Sequence, residues 1–240
     1  MKSIIPIVSI VLFMSACSES TRPIAKSENR SSEITLFLTS SGMQVSSRLI
    51  PLLPFEPAGR TICFITTASH PEGVVPPSVL GEIEALEKLG FDVNSIDLSI
   101  LEDGDLEQVF SKCDLFWVCG GNTLYLLQEV RRSGFDHYVK RKISEGIPYV
   151  GVSAGSILLG PDVEFERYAC DTAQAPNLTS FEGLNLFPFA TYVHFDAVWA
   201  KDVYKEILDF SLEESKSFIT LHDNQFIYVK GERRQVIDVD

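Results

Sequence analysis

Apolar positions along the chain gather into short unbroken runs that alternate with stretches of helical spacing. Residues 34–38, 61–66, 91–98, 115–119 and 148–152 read as strands. The run 115–119 is apolar throughout, which suits the middle of a parallel sheet covered on both faces. Between the first two runs, residues 45–53 have room for a short helix stopped by Pro54 and Pro57. Val79, Leu80, Ile83, Leu86 and Leu89 recur at the spacing of one helix face, and Gly90 ends that pattern. Residues 106–110 give a brief helix. Residues 122–132 give a longer one with Leu124, Leu127 and Val130 on one side, and 135–145 continue as another. Past Gly160 the pattern lapses into a long loop to Gly183. Residues 187–195 are then strand-like, 202–212 helical, and 218–229 a pair of short strands. Strands alternating with helices in this way predict an α/β fold of three layers, a largely parallel sheet with helices on both faces, binding its ligands at the strands' carboxyl ends.

The first 33 residues stand apart from this pattern. Met1-Lys2 supplies a short positive start, and residues 4–13 are an apolar run of signal-peptide length, short for a membrane span. Met14-Ser15-Ala16-Cys17 follows, and resembles a bacterial lipobox with cleavage before Cys17 and lipid on its sulfur. An ordinary secretory signal with an incidental cysteine is the alternative. The expected organisation is a lipoprotein-type signal peptide at 1–17, a polar flexible tether at 18–33 and one α/β domain at 34–240. The expected location is outside the cytoplasm, lipid-anchored to a bacterial membrane on the periplasmic side of the outer membrane; Ser18 resembles the default sorting residue.

Charge narrows the partners. A formal net charge of −13 leaves nothing to neutralise a run of phosphates, so a nucleic-acid partner is not expected. Cys63, Cys113, Cys119 and Cys170 form no C-x-x-C pair, which argues against zinc, and buried free thiols are expected. No metal or cofactor is implied.

Candidate chemistry concentrates after the strand at 148–152. Gly151-Val152-Ser153-Ala154-Gly155 is a G-x-S-x-G elbow, a turn so tight that Ser153 is pushed out at the strand's carboxyl end with a helix start behind it. A plain Gly/Ser-rich strand-to-helix turn is the bland alternative. The strand ending at Cys119 opens into Gly120-Gly121-Asn122-Thr123, whose glycines let backbone N–H groups face a substrate; a Gly-Gly turn with Asn122 as N-cap fits equally. His194 follows the apolar run at 187–193, downstream of the serine, while the other histidines, His70, His137 and His222, fall in or near loops or in a charged helix.

Taken together, Gly120-Gly121-Asn122-Thr123, Gly151-x-Ser153-Ala154-Gly155-Ser156 and Leu184-Asn185-Leu186-Phe187-Pro188-Phe189 leading to His194-Phe195 resemble peptidase family S51, the peptidase E or aspartyl dipeptidase family. Its fold is like that of the class I glutamine amidotransferases. The resemblance implies a serine peptidase acting on dipeptides or short peptides, with Ser153 as nucleophile and His194 as general base. It implies an oxyanion hole from the N–H groups of Gly121 and Ala154, with Asn122 helping to bind substrate. It places the acid in the loop between Ser153 and His194, where Asp171 is the first choice and Glu164 and Glu166 are the rivals. The aspartyl dipeptidases carry an arginine after the histidine that pairs with the substrate aspartate. Residues 196–202 here contain none, and Lys201 or Lys205 offers charge without a bidentate fork. A silent binding protein on the same fold, or another amidase or acyl-transfer activity, stays open beside the peptidase.

Overall fold

The computed structural model describes residues 33–240 apart from Glu72, Asp196, Ser215, Asp240 and the side chain of Asp202. The expected signal peptide, Cys17 and nearly all of the tether lie outside the described residues. Seven strands form the main sheet in the order β3-β2-β4-β5-β1-β8-β9. The strands are β1 (Thr35–Thr39), β2 (Thr61–Ile65), β3 (Asp92–Ile96), β4 (Leu115–Val118), β5 (Tyr149–Val152), β8 (Gln225–Lys230) and β9 (Arg233–Asp238). The first five run parallel, and β8 and β9 close the far edge antiparallel. The turn between β8 and β9 needs only Gly231 and Glu232, with Gly231 at φ 58°, so an antiparallel return is the natural pairing.

Successive strand residues point to opposite faces, and both faces are buried. On one, Phe37, Phe64, Trp117 and Val150 pack with Val45 and Leu49 of α1 (Gly42–Leu49) and Val79 and Leu86 of α2 (Pro77–Lys88). On the other, Leu36, Cys63, Phe116 and Tyr149 meet the residues of three later helices, α3 (Leu106–Val109), α4 (Thr123–Arg132) and α5 (Phe135–Ser144). The three-layer α/β architecture is as expected. A single helical turn, α6 (Ala154–Ile157), follows β5, and α7 (Lys201–Glu213) lies near the C-terminus.

Three elements differ from the sequence reading. The apolar face of α2 is narrower, because Leu80 and Leu89 are exposed and the sheet covers only the Val79–Leu86 line. The run at 187–195 yields only β6 (Ala190–Tyr192), which pairs in parallel with β7 (Phe218–Thr220) in a separate two-stranded sheet. The edge strand β9 is mostly exposed, so it carries charged residues and no apolar run to announce it. Among the described residues the cysteines are free thiols: Cys63, Cys113 and Cys119 are buried and Cys170 is half-buried. Burial pushes the Cys119 and Cys170 thiols up to about 12, which disfavours the thiolate form. No helix among the described residues is long and apolar enough to cross a membrane.

Candidate active site

The elbow after β5 is built from close backbone contacts. Ser153 sits at φ 49° and ψ −108°, a conformation that costs a non-glycine residue on the order of 1–3 kcal/mol and persists only where its surroundings enforce it. Here they do. The Ser153 N–H donates to the Thr39 carbonyl at 2.9 Å, and the buried Ser156 hydroxyl lies 2.8 Å from that oxygen and 2.7 Å from the Gly151 carbonyl. Tyr149 donates its hydroxyl to the Gly155 carbonyl at 2.9 Å. A Cβ on Gly155 would stand 2.2 Å from the Val118 carbonyl oxygen, so the last position of G-x-S-x-G admits no side chain. α6 is one turn long, so its dipole is small and its contribution reduces to the N–H of Ala154.

The imidazole of His194 reaches this serine. Its Nε2 is 3.1 Å from Ser153 Oγ, and its Nδ1 is 2.6 Å from Oδ1 of Asp223. With the Nδ1 proton donated to Asp223, Nε2 is left as an acceptor for the Ser153 hydroxyl. Ser40 braces the pair: its hydroxyl donates to Asp223 Oδ1 at 2.5 Å and accepts the His194 backbone N–H at 2.9 Å. His194 itself has φ 55°, and its ring packs 5.0 Å from that of Trp199. These contacts hold a strained backbone and a ring in one orientation.

The carboxylate that meets the imidazole, Asp223, is not one of the three expected. Asp171 is spent locally, its carboxylate accepting from the Ala173 N–H at 3.0 Å at the start of a short 3-10 turn. Glu164 pairs with Lys216 at 3.3 Å and Arg167 at 3.2 Å. Glu166 is buried and accepts from Thr123 Oγ1 at 2.7 Å, and burial pushes its carboxyl above the usual range, toward the neutral form. None of the three makes a hydrogen bond to His194. Asn122 is likewise occupied: its Oδ1 caps α4 at the N–H groups of Leu124 and Tyr125, and its Nδ2 donates to the Asp171 carbonyl and Gln174. Its side chain thereby ties the Asp171 loop to the start of α4. Gly121 has φ 142°, and a Cβ there would stand 1.9 Å from the Ala68 carbonyl oxygen. Lys205 pairs with Asp209 in solvent, and neither it nor Lys201 lines the cavities at the serine.

Two cavities meet at Gly121, Ser153 and His194. One, of about 440 Å³, is lined by Ser40, Met43, Ser69, Ser78, Val79 and Glu82 among others. The other, of about 390 Å³, is walled by Ile157, Tyr192, Trp199 and Val203, with Glu166 and Cys170 at its side. Trp199 is largely exposed at its rim. No cluster able to hold a metal ion is present among the described residues.

A bent serine, an imidazole in reach of it and a carboxylate behind the imidazole are the parts of acyl-transfer chemistry. The model for peptidase family S51 matches residues 36–237, nearly the whole described domain. The chain belongs to peptidase family S51. It is a serine-type peptidase. An uncharacterized peptidase of Listeria monocytogenes is 34% identical over 200 residues, covering 82% of this chain and 95% of that one. A protein called peptidase E from Streptomyces coelicolor is 28% identical over 185 residues, covering 75% and 72%. The crystal structure of a putative peptidase E from Listeria monocytogenes superposes with a TM-score of 0.79 at 30% identity, over 87% of this chain and all of that one.

In this S51 peptidase two members of the site escaped the sequence reading. Asp223 lies beyond the histidine in the chain, whereas the expected order put the acid before it. Ser40 reads only as part of the polar turn after β1. The available signal was positional: Ser40, Ser153 and Asp223 each follow the carboxyl end of a strand, β1, β5 and β7.

Proposed function

We propose that this S51 peptidase hydrolyses dipeptides or short peptides through an acyl-enzyme, with Ser153 as nucleophile, His194 as general base and Asp223 as the carboxylate that orients it. The reading rests on the line of contacts Ser153 Oγ–His194 Nε2 at 3.1 Å and His194 Nδ1–Asp223 Oδ1 at 2.6 Å. His194 takes the hydroxyl proton as Ser153 Oγ attacks the scissile carbonyl, and Asp223 stabilises the imidazolium that forms. The imidazolium then protonates the leaving amine, and water attacks the acyl-enzyme with His194 again as base. The N–H groups of Gly121 and Ala154 make no hydrogen bond within the chain among the described residues, which leaves them for the oxyanion.

A fluorophosphonate probe tests this directly, since only an activated serine reacts readily. Labelling of the wild type at Ser153, none in Ser153→Ala, and hydrolysis of a dipeptide panel lost in the same variant are the expected results. An unlabelled wild type that cleaves nothing refutes the reading and leaves a silent binding protein. The proposal extends to location: residues 1–17 direct export and Cys17 carries lipid, holding the peptidase at the periplasmic face of the outer membrane. Mass spectrometry of the mature N-terminus checks it, and an unprocessed Met1 refutes it.

A further inference from the structure

The larger cavity beside Ser153 contains a carboxylate with no counter-charge. Glu82 projects from α2 into it, and Glu82 and His194 are the acidic and basic side chains in its lining, which includes no lysine or arginine. Glu82 accepts one hydrogen bond, from the Trp117 indole N–H at 3.3 Å, and forms no ion pair among the described residues. Its carboxylate lies beside Gly42, Val152 and Trp117. The point where a Cβ on Gly42 would stand is 2.8 Å from Glu82 Oε1, 2.7 Å from Val152 Cγ2 and 2.9 Å from the Trp117 ring. Val152 is the residue before the reactive serine, so the carboxylate borders the strand end that carries Ser153. Glycine at 42 leaves it room.

A carboxylate among Trp117, Val79 and Val152 without a cation is in a poor place to be ionised. Burial raises its pKa to about 7, with the Trp117 hydrogen bond opposing the rise. Structure alone does not ask for this charge, because an amide of the same shape would accept from Trp117 without the desolvation cost. A ligand that brings a positive charge completes the arrangement.

We infer that Glu82 is the receptor for a primary ammonium group of the substrate, bound in the cavity on one side of Ser153 while the neighbouring residue occupies the Tyr192–Trp199 cavity on the other. This rests on the peptidase reading and gives it a substrate class: peptides with a free amine within reach of the scissile bond. Such an amine comes from the N-terminal residue or from a lysine side chain. The chemistry at Glu82 is the same, and the geometry of a short substrate favours the N-terminus. An acidic side chain in this cavity meets repulsion instead of a partner.

Hydrolysis of Ala-Leu, N-acetyl-Ala-Leu and N-acetyl-Lys-Leu by the whole chain and by Glu82→Gln separates the cases, with fluorophosphonate labelling of Ser153 followed in parallel. A charge-assisted hydrogen bond corresponds to a preference of roughly 10- to 100-fold in kcat/KM for Ala-Leu over its acetylated form in the wild type. In Glu82→Gln that ratio falls toward one, and Glu82→Asp keeps part of it. Recovery with N-acetyl-Lys-Leu supports the ammonium receptor and assigns the side chain as its source. If Ser153 labels and the wild type cleaves amine-bearing and acetylated peptides equally, or the ratio survives in Glu82→Gln, the assignment is overturned and the peptidase reading stands. Absence of both labelling and cleavage overturns the two together.

Discussion

His194 and Asp223 meet because the strands before them run side by side. β6 and β7 pair in parallel, Tyr192 opposite Thr220, and the pairing continues past their ends. The Leu221 N–H donates to the Tyr192 carbonyl at 2.8 Å, and the Phe195 N–H to the Leu221 carbonyl at 3.1 Å. The two loops that leave this small sheet are thereby held together, and the 2.6 Å contact between imidazole and carboxylate follows. Asp223→Asn removes the group that fixes the tautomer, and kcat is expected to fall by about 10³–10⁴-fold. Asp171→Asn, by contrast, is expected to change activity less than threefold, on the order of a surface substitution of ±0.5 kcal/mol. Steady-state kinetics of the two variants on one dipeptide decides between the acids.

Ser40→Ala deletes a hydroxyl that serves both the Asp223 carboxylate and the His194 backbone. His194 then loses one of the contacts holding its positive φ. The expected outcome is roughly a tenfold loss in the rate of Ser153 labelling, equivalent to one hydrogen bond of about 1.4 kcal/mol. Near-UV circular dichroism is expected to be unchanged, showing that the fold persists.

Ser156→Ala strikes the elbow from beneath. Its buried hydroxyl lies within hydrogen-bonding distance of the carbonyls of Thr39 and Gly151, and removing it leaves acceptors under the strained Ser153 less well satisfied. Urea unfolding is expected to show a loss of about 1–3 kcal/mol.

Glu82 makes stability depend on pH. Its carboxyl is raised by burial from 4.5 to about 7, so between those values the folded protein keeps a proton that the unfolded chain has released. Stability accordingly falls as pH rises from about 4.5 to about 7. Glu82→Gln removes that part of the slope, roughly 2 kcal/mol after allowance for the solvent-facing portion of the side chain. Cys119, with its thiol near 12, does not titrate in the interval, and His194 across the cavity is common to both proteins. Thermal melts of the pair from pH 4.5 to 7.5 measure the difference.

Trp199 lies exposed over the His194 ring and walls the apolar cavity. Trp199→Ala is expected to raise KM about 10-fold for peptides with a large apolar residue and to leave Ala-Ala nearly unaffected, the difference reflecting lost apolar contact of about 1–2 kcal/mol. A uniform change across the panel would assign Trp199 to support of the imidazole instead.

Strands β1, β2, β4 and β5 were legible because they are covered on both faces, and burial writes itself as an unbroken apolar run. β9 was not, since an edge strand with exposed sides has no reason to be apolar. The serine elbow was legible from its glycines, whose absent side chains make room for Val118 and Gly155 backbone. Asp223 was illegible for a different reason. Its role depends on the parallel pairing of two three-residue strands, a long-range contact that leaves no local periodicity. Asn122 is legible in half: its Oδ1 caps the helix that starts beside it, while its Nδ2 serves the distant Asp171 and Gln174.

The two cavities share only Gly121, Ser153 and His194 of their linings, so on the acyl-enzyme reading proposed above the halves of a cut substrate lie in separate chambers. The amine fragment departs through one chamber while the acyl fragment stays esterified to Ser153 in the other. The emptied chamber is then the route by which the hydrolytic water arrives, on the side from which the first fragment left. In such an arrangement a fragment that lingers in that chamber slows deacylation while the other chamber stays open.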